Sequence, residues 1–106
     1  MRRASIDIGS NSVLLLAVDL DDAGLIVSEV LNESFITSLG KDLDATKRFH
    51  PDSMQATYEA LKTYKGLLDK IKFPVDQVIA TATEASRVST NSREFFKKIK
   101  DELGFN

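Results

Sequence analysis

Two apolar runs close on a short polar turn in Ser5-Ile6-Asp7-Ile8-Gly9-Ser10-Asn11-Ser12-Val13-Leu14. This stretch constrains the fold more than any other. The run Val13 to Val18 is a poor surface loop and a good buried strand. Residues 4–8 read as a short strand that Gly9 breaks, because glycine tolerates tight-turn backbone angles. Residues 12–20 read as a second strand, apolar over most of its length and so expected to be buried on both faces. Asp21-Asp22-Ala23-Gly24 is a turn signal. Residues 25–33 read as a third strand whose alternation is imperfect. With such short turns, the three strands are expected to form an antiparallel meander.

Beyond residue 33 the pattern changes. Residues 34–50 are irregular, and a connection of that length is usually functional or mobile. His50-Pro51-Asp52 announces a helix with proline in an early position. Met54, Tyr58, Leu61, Leu68 and Ile71 then recur at helical spacing, which predicts a helix from about 51 to 71. It ends before Phe73-Pro74, since the residue preceding proline avoids the helical region. Val75 to Ala82 reads as a strand rich in β-branched residues. Thr83-Glu84-Ala85-Ser86-Arg87 reads as a strand-to-helix corner, with Thr83 at a cap position and Glu84 in the first turn. Asn91-Ser92-Arg93-Glu94 has the form of a capping box. It opens a last helix with Phe95, Ile99 and Leu103 in register and Gly104 at its end. The order is β-β-β-α-β-α. The long crossover into the fourth strand suits a parallel connection, so the sheet is expected to be mixed, antiparallel at one end and parallel at the other.

Composition narrows the function classes. The 106 residues carry a net charge of −2, with 42% hydrophobic and 28% charged residues. That balance gives no global attraction to DNA or to an anionic membrane, so neither is expected as a partner and any anion site is local. The chain has no cysteine and one histidine, His50. Thiolate metal sites are therefore excluded, and a histidine-based metal site or triad is not expected within it. No run approaches the roughly 18 apolar residues of a membrane span, and Asp7, Ser10, Asn11 and Ser12 interrupt the apolar stretch behind Met1-Arg2-Arg3. A cytoplasmic location is the expectation.

Each candidate for chemistry has two readings. Gly9-Ser10-Asn11-Ser12 can aim backbone N–H groups inward as a nest for phosphate oxygens, with Asp7 placed to orient a water or a hydrated cation. It can equally be a polar hairpin turn whose serines satisfy their own backbone, and spacing alone favours this second reading. The Thr83–Arg87 corner lies where ligands gather in α/β sheets, and Arg87 is able to make a forked contact to a phosphoryl group. Its other reading is a helix cap with a solvated or Glu84-paired arginine. Ser38-Leu39-Gly40-Lys41 and the Lys97, Lys98 and Lys100 cluster are more ordinary as solvated lysines than as polyanion contacts.

Taken together, the motifs carry more information. Ile6-Asp7-Ile8-Gly9-Ser10-Asn11-Ser12, Thr37-x-Leu39-Gly40, Ala80-Thr81-Ala82-Thr83-Glu84-Ala85-x-Arg87 and Asn91-x-x-Glu94-Phe95 occur in that order. In this set the chain resembles the amino-terminal part of the exopolyphosphatase/guanosine pentaphosphate phosphohydrolase (Ppx/GppA) family. The first motif alone is shared in outline with sugar kinases, actin and Hsp70 chaperones, so an actin-like kinase or ATPase is an alternative, as is a phosphate- or nucleotide-sensing module without turnover.

The resemblance implies two ribonuclease H-like domains of the actin-like ATPase superfamily, with the active site in the cleft between them. It implies removal of a terminal phosphate from polyphosphate, or the 5′ phosphate from guanosine pentaphosphate, by water and usually magnesium (Mg2+). By the family pattern Gly9, Ser10, Asn11 and Ser12 form the first phosphate-binding turn. Arg87 contacts the phosphoryl group, Thr83 and Glu84 shape its loop, and Asp7 lies near the metal and water. Ser38 stands where the family often carries arginine or another basic residue. The family's glutamate base, in a Ser-Gly-x-Glu-Glu-Ala segment, and its second turn, Asp-x-Gly-Gly-Gly-Ser, do not occur in this sequence. Residues 1–106 are thus expected to be the amino-terminal portion of the first domain of a larger protein, truncated before the fifth strand and inactive alone. The edge of the Val75–Ala82 strand would then be exposed and open to pairing in a homodimer.

Overall fold

The computed structural model of the chain describes residues 1–40, 47–82 and 90–105. The alternation seen in the first motif gives strand β1 over Arg2–Ile8, and the apolar run gives β2 over Ser12–Leu20. Strand β3 follows at Ile26–Ile36. These three form the expected antiparallel meander, with Ile6 opposite Leu15 and Leu15 opposite Glu33. Asp21 shapes the β2–β3 turn: its carboxylate accepts the Ala23 and Leu25 N–H groups, both at 2.9 Å. At the base of the β1–β2 hairpin the Arg2 guanidinium donates twice to Asp19, at 2.8 and 3.2 Å. That fork holds the Asp19 carboxyl below its ordinary range.

Helix α1 covers Pro51–Lys70. Pro51 sits in its first turn, and the His50 imidazole caps it by accepting the Asp52 N–H at 3.1 Å. Strand β4, Ile79–Ala82, then returns parallel to β1, and helix α2 covers Ser92–Leu103. The sheet order is β3-β2-β1-β4. The architecture is therefore the expected α/β one: three strands, helix, strand, helix, around a mixed four-stranded sheet.

One face of the sheet carries the core. Ala4, Ile6, Ile8, Val13, Leu15 and Ala17 are buried there, under Leu61, Tyr64 and Leu68 of α1 and Phe95, Ile99 and Leu103 of α2. Tyr64 ties helix to sheet by donating its hydroxyl to the Val13 carbonyl at 2.7 Å. Phe49, Phe95 and Phe96 form an aromatic cluster with ring centroids 5.5–6.2 Å apart, a favourable spacing for tilted and edge-on rings.

Four expectations need correction. Helices cover one face of β2 only: Leu14 is 45% exposed, because α1 and α2 both pack on the opposite face. On the open face Arg3, Ser5, Leu16, Val18 and Ile79 line a shallow groove. The strand expected over Val75–Ala82 begins only at Ile79. Behind Pro74 the chain makes a 3-10 turn over Val75–Gln77, with Gln77 N–H donating to the Pro74 carbonyl at 3.1 Å. β3 runs three residues past the expected end at 33, because pairing with Val13 and Ser12 carries it to Phe35 and Ile36. Finally, the Asn91 side chain does not cap α2; it reaches across to Phe49.

The imperfect alternation also has a physical cause. The β2–β3 register shifts between Ala17 and Val18 and again between Asp19 and Leu20. The extra residues are Val30 and Val27, both on β3; a bulge of this kind breaks strict alternation, and consecutive Val30 and Leu31 are both half-buried.

Candidate functional site

The Gly9–Ser12 turn leaves the carboxyl end of β1 and enters β2. Gly9 N–H donates to the Ser12 carbonyl at 2.8 Å, closing the turn. Gly9 does this without a left-handed φ; the glycines that adopt one are Gly24 and Gly104. Two more of the turn's carbonyls are occupied. Asn11 O accepts the N–H groups of Thr37 and Ser38, each at 3.0 Å, and Ser10 O accepts that of Gly40 at 2.9 Å. By contrast, the Ser10 and Asn11 N–H groups donate to no acceptor among the described residues. The serine hydroxyls do not pair with the turn's own backbone there either, so the self-satisfied hairpin is not what forms. Three of the turn's four carbonyls are bonded while two of its N–H groups are left open, the arrangement by which backbone donors bind an anion.

Thr37–Gly40 is a strap lying against this turn. Leu39 is 1% exposed and anchors it in the core. Ser38 takes a left-handed φ of 53°, which turns the chain between its own N–H and that of Gly40. Sequence reasoning misses the strap's backbone role. The available signal is the pairing of an apolar residue with a glycine in Leu39-Gly40, inside a segment that otherwise reads as irregular.

Asp7 is exposed and sits on β1 between Leu14 of β2 and Thr81 of β4. The parallel register sets Ala82 beside Ile8, so β1 and β4 end together and the chain continues from adjacent strands on both sides of this point. Thr83, Glu84 and Arg87 lie outside the described residues, as does Lys41. Thr90 N–H donates to the Lys47 carbonyl at 2.8 Å, joining the chain just beyond both undescribed stretches.

No group of three or more His, Cys, Asp or Glu forms a metal site among the described residues. Asp7 alone does not hold a magnesium ion, which takes octahedral oxygen coordination and usually shares it with waters and substrate phosphates. A separate groove of about 350 Å³ runs between α1 and α2, lined in part by Arg48, Tyr58, Glu94 and Lys98. It contains none of the turn residues, and Lys98 is placed over the Tyr58 ring at 4.9 Å. Lys97 and Lys100 are exposed on the same helix, and Lys97 pairs with Asp101 at 3.0 Å. None of the described helices is long and apolar enough to cross a membrane.

Comparison with known proteins bears on the family and the fold. Residues 17–106 match the Ppx/GppA phosphatase family. The chain is 40% identical over 106 residues to exopolyphosphatase 2 of Mycobacterium tuberculosis, covering 97% of this chain and 32% of that protein. It is 36% identical over 103 residues to a bifunctional 3-dehydroquinate synthase/phosphatase of Fusobacterium nucleatum, covering 94% of this chain and 16% of that one. The crystal structure of the Aquifex aeolicus Ppx/GppA family member superposes with a TM-score of 0.89 at 43% identity, over 99% of this chain and 33% of that one. The chain thus spans about a third or less of the length of these relatives. With fold, order of elements and sequence in agreement, the chain belongs to the Ppx/GppA phosphatase family.

Proposed function

We propose that this chain is the amino-terminal portion of the first of two ribonuclease H-like domains in a phosphoanhydride hydrolase, and that its Gly9–Ser12 turn receives the terminal phosphoryl group of polyphosphate or guanosine pentaphosphate. The observation that carries this reading is the turn's polarity: its Ser10, Asn11 and Ser12 carbonyls are bonded and the Ser10 and Asn11 N–H groups are open. Phosphoryl transfer asks the protein chiefly for positioning and for stabilising charge on the phosphoryl oxygens. Preorganised backbone donors do both, at no reorganisation cost during the reaction. The reading is also supported by the relative called exopolyphosphatase 2.

In this proposal Arg87 adds a forked contact to the same phosphoryl group, and Thr83 and Glu84 shape its loop. Ala82, the residue before Thr83, pairs with Ile8, the residue before the turn. The carboxylate that takes a proton from the attacking water belongs to a segment beyond residue 106, so the 106-residue chain binds phosphate without turning it over. A magnesium ion is part of the family expectation, but the described residues do not build its site. The outer edge of β4 has no neighbouring strand among the described residues, and in the isolated chain it pairs with a second copy.

Phosphate release from polyphosphate tests the reading. The 106-residue chain should release none above background. In the longer protein Arg87→Ala should cost about 100-fold or more in rate, the scale of losing one donor to the reacting group. Turnover by the short chain, or an unchanged rate in the variant, contradicts it. Light scattering that finds a strict monomer at high concentration contradicts the pairing through β4.

A further inference from the structure

The glycine at position 40 has a role that its backbone conformation does not explain. It is not among the residues with positive φ, so other residues can adopt its angles. Space is the constraint. A Cβ built on Gly40 meets the Ser10 Cβ at 3.0 Å, the Ser10 Oγ at 3.4 Å and the Ser10 carbonyl oxygen at 3.5 Å. Carbon atoms in good contact lie about 3.5–4.0 Å apart, so Ser10 or the strap would have to give by a few tenths of an ångström. The two residues are also tied together, because Gly40 N–H donates to Ser10 O at 2.9 Å. A shift of Ser10 straight away from the strap lengthens the bond that occupies its carbonyl.

We propose that Gly40 is a positioning residue for the phosphate-binding turn: its missing side chain lets the Thr37–Gly40 strap lie against Ser10, which sets the direction of the Ser10 and Asn11 N–H groups. The proposal rests on the reading of Gly9–Ser12 as a phosphate site. The strap acts through the turn and does not itself need to touch the ligand. Its three donors, Thr37, Ser38 and Gly40, take the carbonyls that would otherwise repel an anion, and Gly40 fixes how closely they approach. Binding geometry of this kind is sensitive to displacements of about half an ångström.

The test is a titration of the 106-residue chain with inorganic tripolyphosphate, read at the backbone amides of Ser10 and Asn11 by heteronuclear NMR. Wild type is compared with Gly40→Ala, Ser10→Gly and the double variant. Circular dichroism and a thermal melt confirm that each is folded. Gly40→Ala should remain folded and bind about tenfold more weakly. Ser10→Gly removes the Cβ and Oγ that the new methyl meets. On that background, adding Gly40→Ala should cost less than about twofold. Gly66→Ala is the control, since a Cβ there meets nothing within 4 Å, and it should leave binding unchanged.

If wild type shows no shift at Ser10 and Asn11, the phosphate reading fails and the positioning role fails with it. If wild type binds and Gly40→Ala binds equally well, the positioning role alone is overturned. It is overturned equally if Gly40→Ala costs as much on the Ser10→Gly background as on wild type. An unfolded Gly40→Ala leaves the comparison of Ser10→Gly with the double variant to decide.

Discussion

Asn91 holds the backbone of Phe49 from both sides. Its Oδ1 accepts the Phe49 N–H at 2.9 Å and its Nδ2 donates to the Phe49 carbonyl at 3.3 Å. Phe49 is 2% exposed, so these backbone groups have little access to water, and leaving one unpaired costs about 1–3 kcal/mol. Serine caps a helix about as well as asparagine. If capping were what mattered, Asn91→Ser would be nearly neutral. With the cross-link to Phe49 instead at stake, Asn91→Ser should lower stability by about 1–3 kcal/mol in urea denaturation. A change below about 0.5 kcal/mol would restore the capping role.

Tyr64 gives a prediction in pH. Its phenol is fully buried, and burial, with the nearby Glu33 charge adding to it, pushes its pKa up to about 12. Below pH 10 the phenol is protonated in both folded and unfolded chains. As pH rises from 10 toward about 12 the unfolded chain ionises first and so binds fewer protons than the folded one. Stability contributed by Tyr64 is therefore complete below pH 10 and is lost through that window. Between about pH 9.5 and about pH 11.5, wild type should lose roughly 2 kcal/mol more than Tyr64→Phe does, at about 1.4 kcal/mol per pKa unit. At neutral pH the variant should be less stable by about 1 kcal/mol, for the lost bond to Val13. Parallel decline of the two proteins in alkali would show that the phenol does not titrate late.

Thr37 should be improvable. Its Oγ1 is buried and finds no partner among the described residues, although its N–H is used on Asn11. A buried hydroxyl without a hydrogen bond is a net cost. Thr37→Val keeps the shape and the backbone bond while removing that cost. It should stabilise the chain by about 1 kcal/mol, raising Tm by roughly 4 °C or more. A lower Tm would mean that the hydroxyl is paired in solution.

The sequence shows most clearly what is local. Pro51 and the helical spacing of Leu61 and Leu68 place α1 to within a residue at its end, and the run Val13 to Val18 places β2. The misreadings are tertiary in origin. Nothing in Leu14 or Leu16 says that α1 and α2 will choose the same face. The β-branched run at Val75 reads as strand until Pro74 starts a 3-10 turn ahead of it. Asn91 sits in a good capping pattern, yet its amide finds a better-matched partner in a distant peptide unit. The turn at Gly9–Ser12 is visible as a candidate because its residues are contiguous. The strap that occupies its carbonyls is not, because Ser10 and Gly40 meet only after β2 and β3 have paired.

The central question is whether anions choose the open amides of the turn or the lysines of α2. Titrating the 106-residue chain with tripolyphosphate while following all backbone amides separates the two directly. A phosphate site at the turn predicts saturable shifts concentrated at Ser10 and Asn11, with small, non-saturating changes around Lys97, Lys98 and Lys100. Shifts centred on those lysines, with Ser10 and Asn11 unmoved, would contradict it.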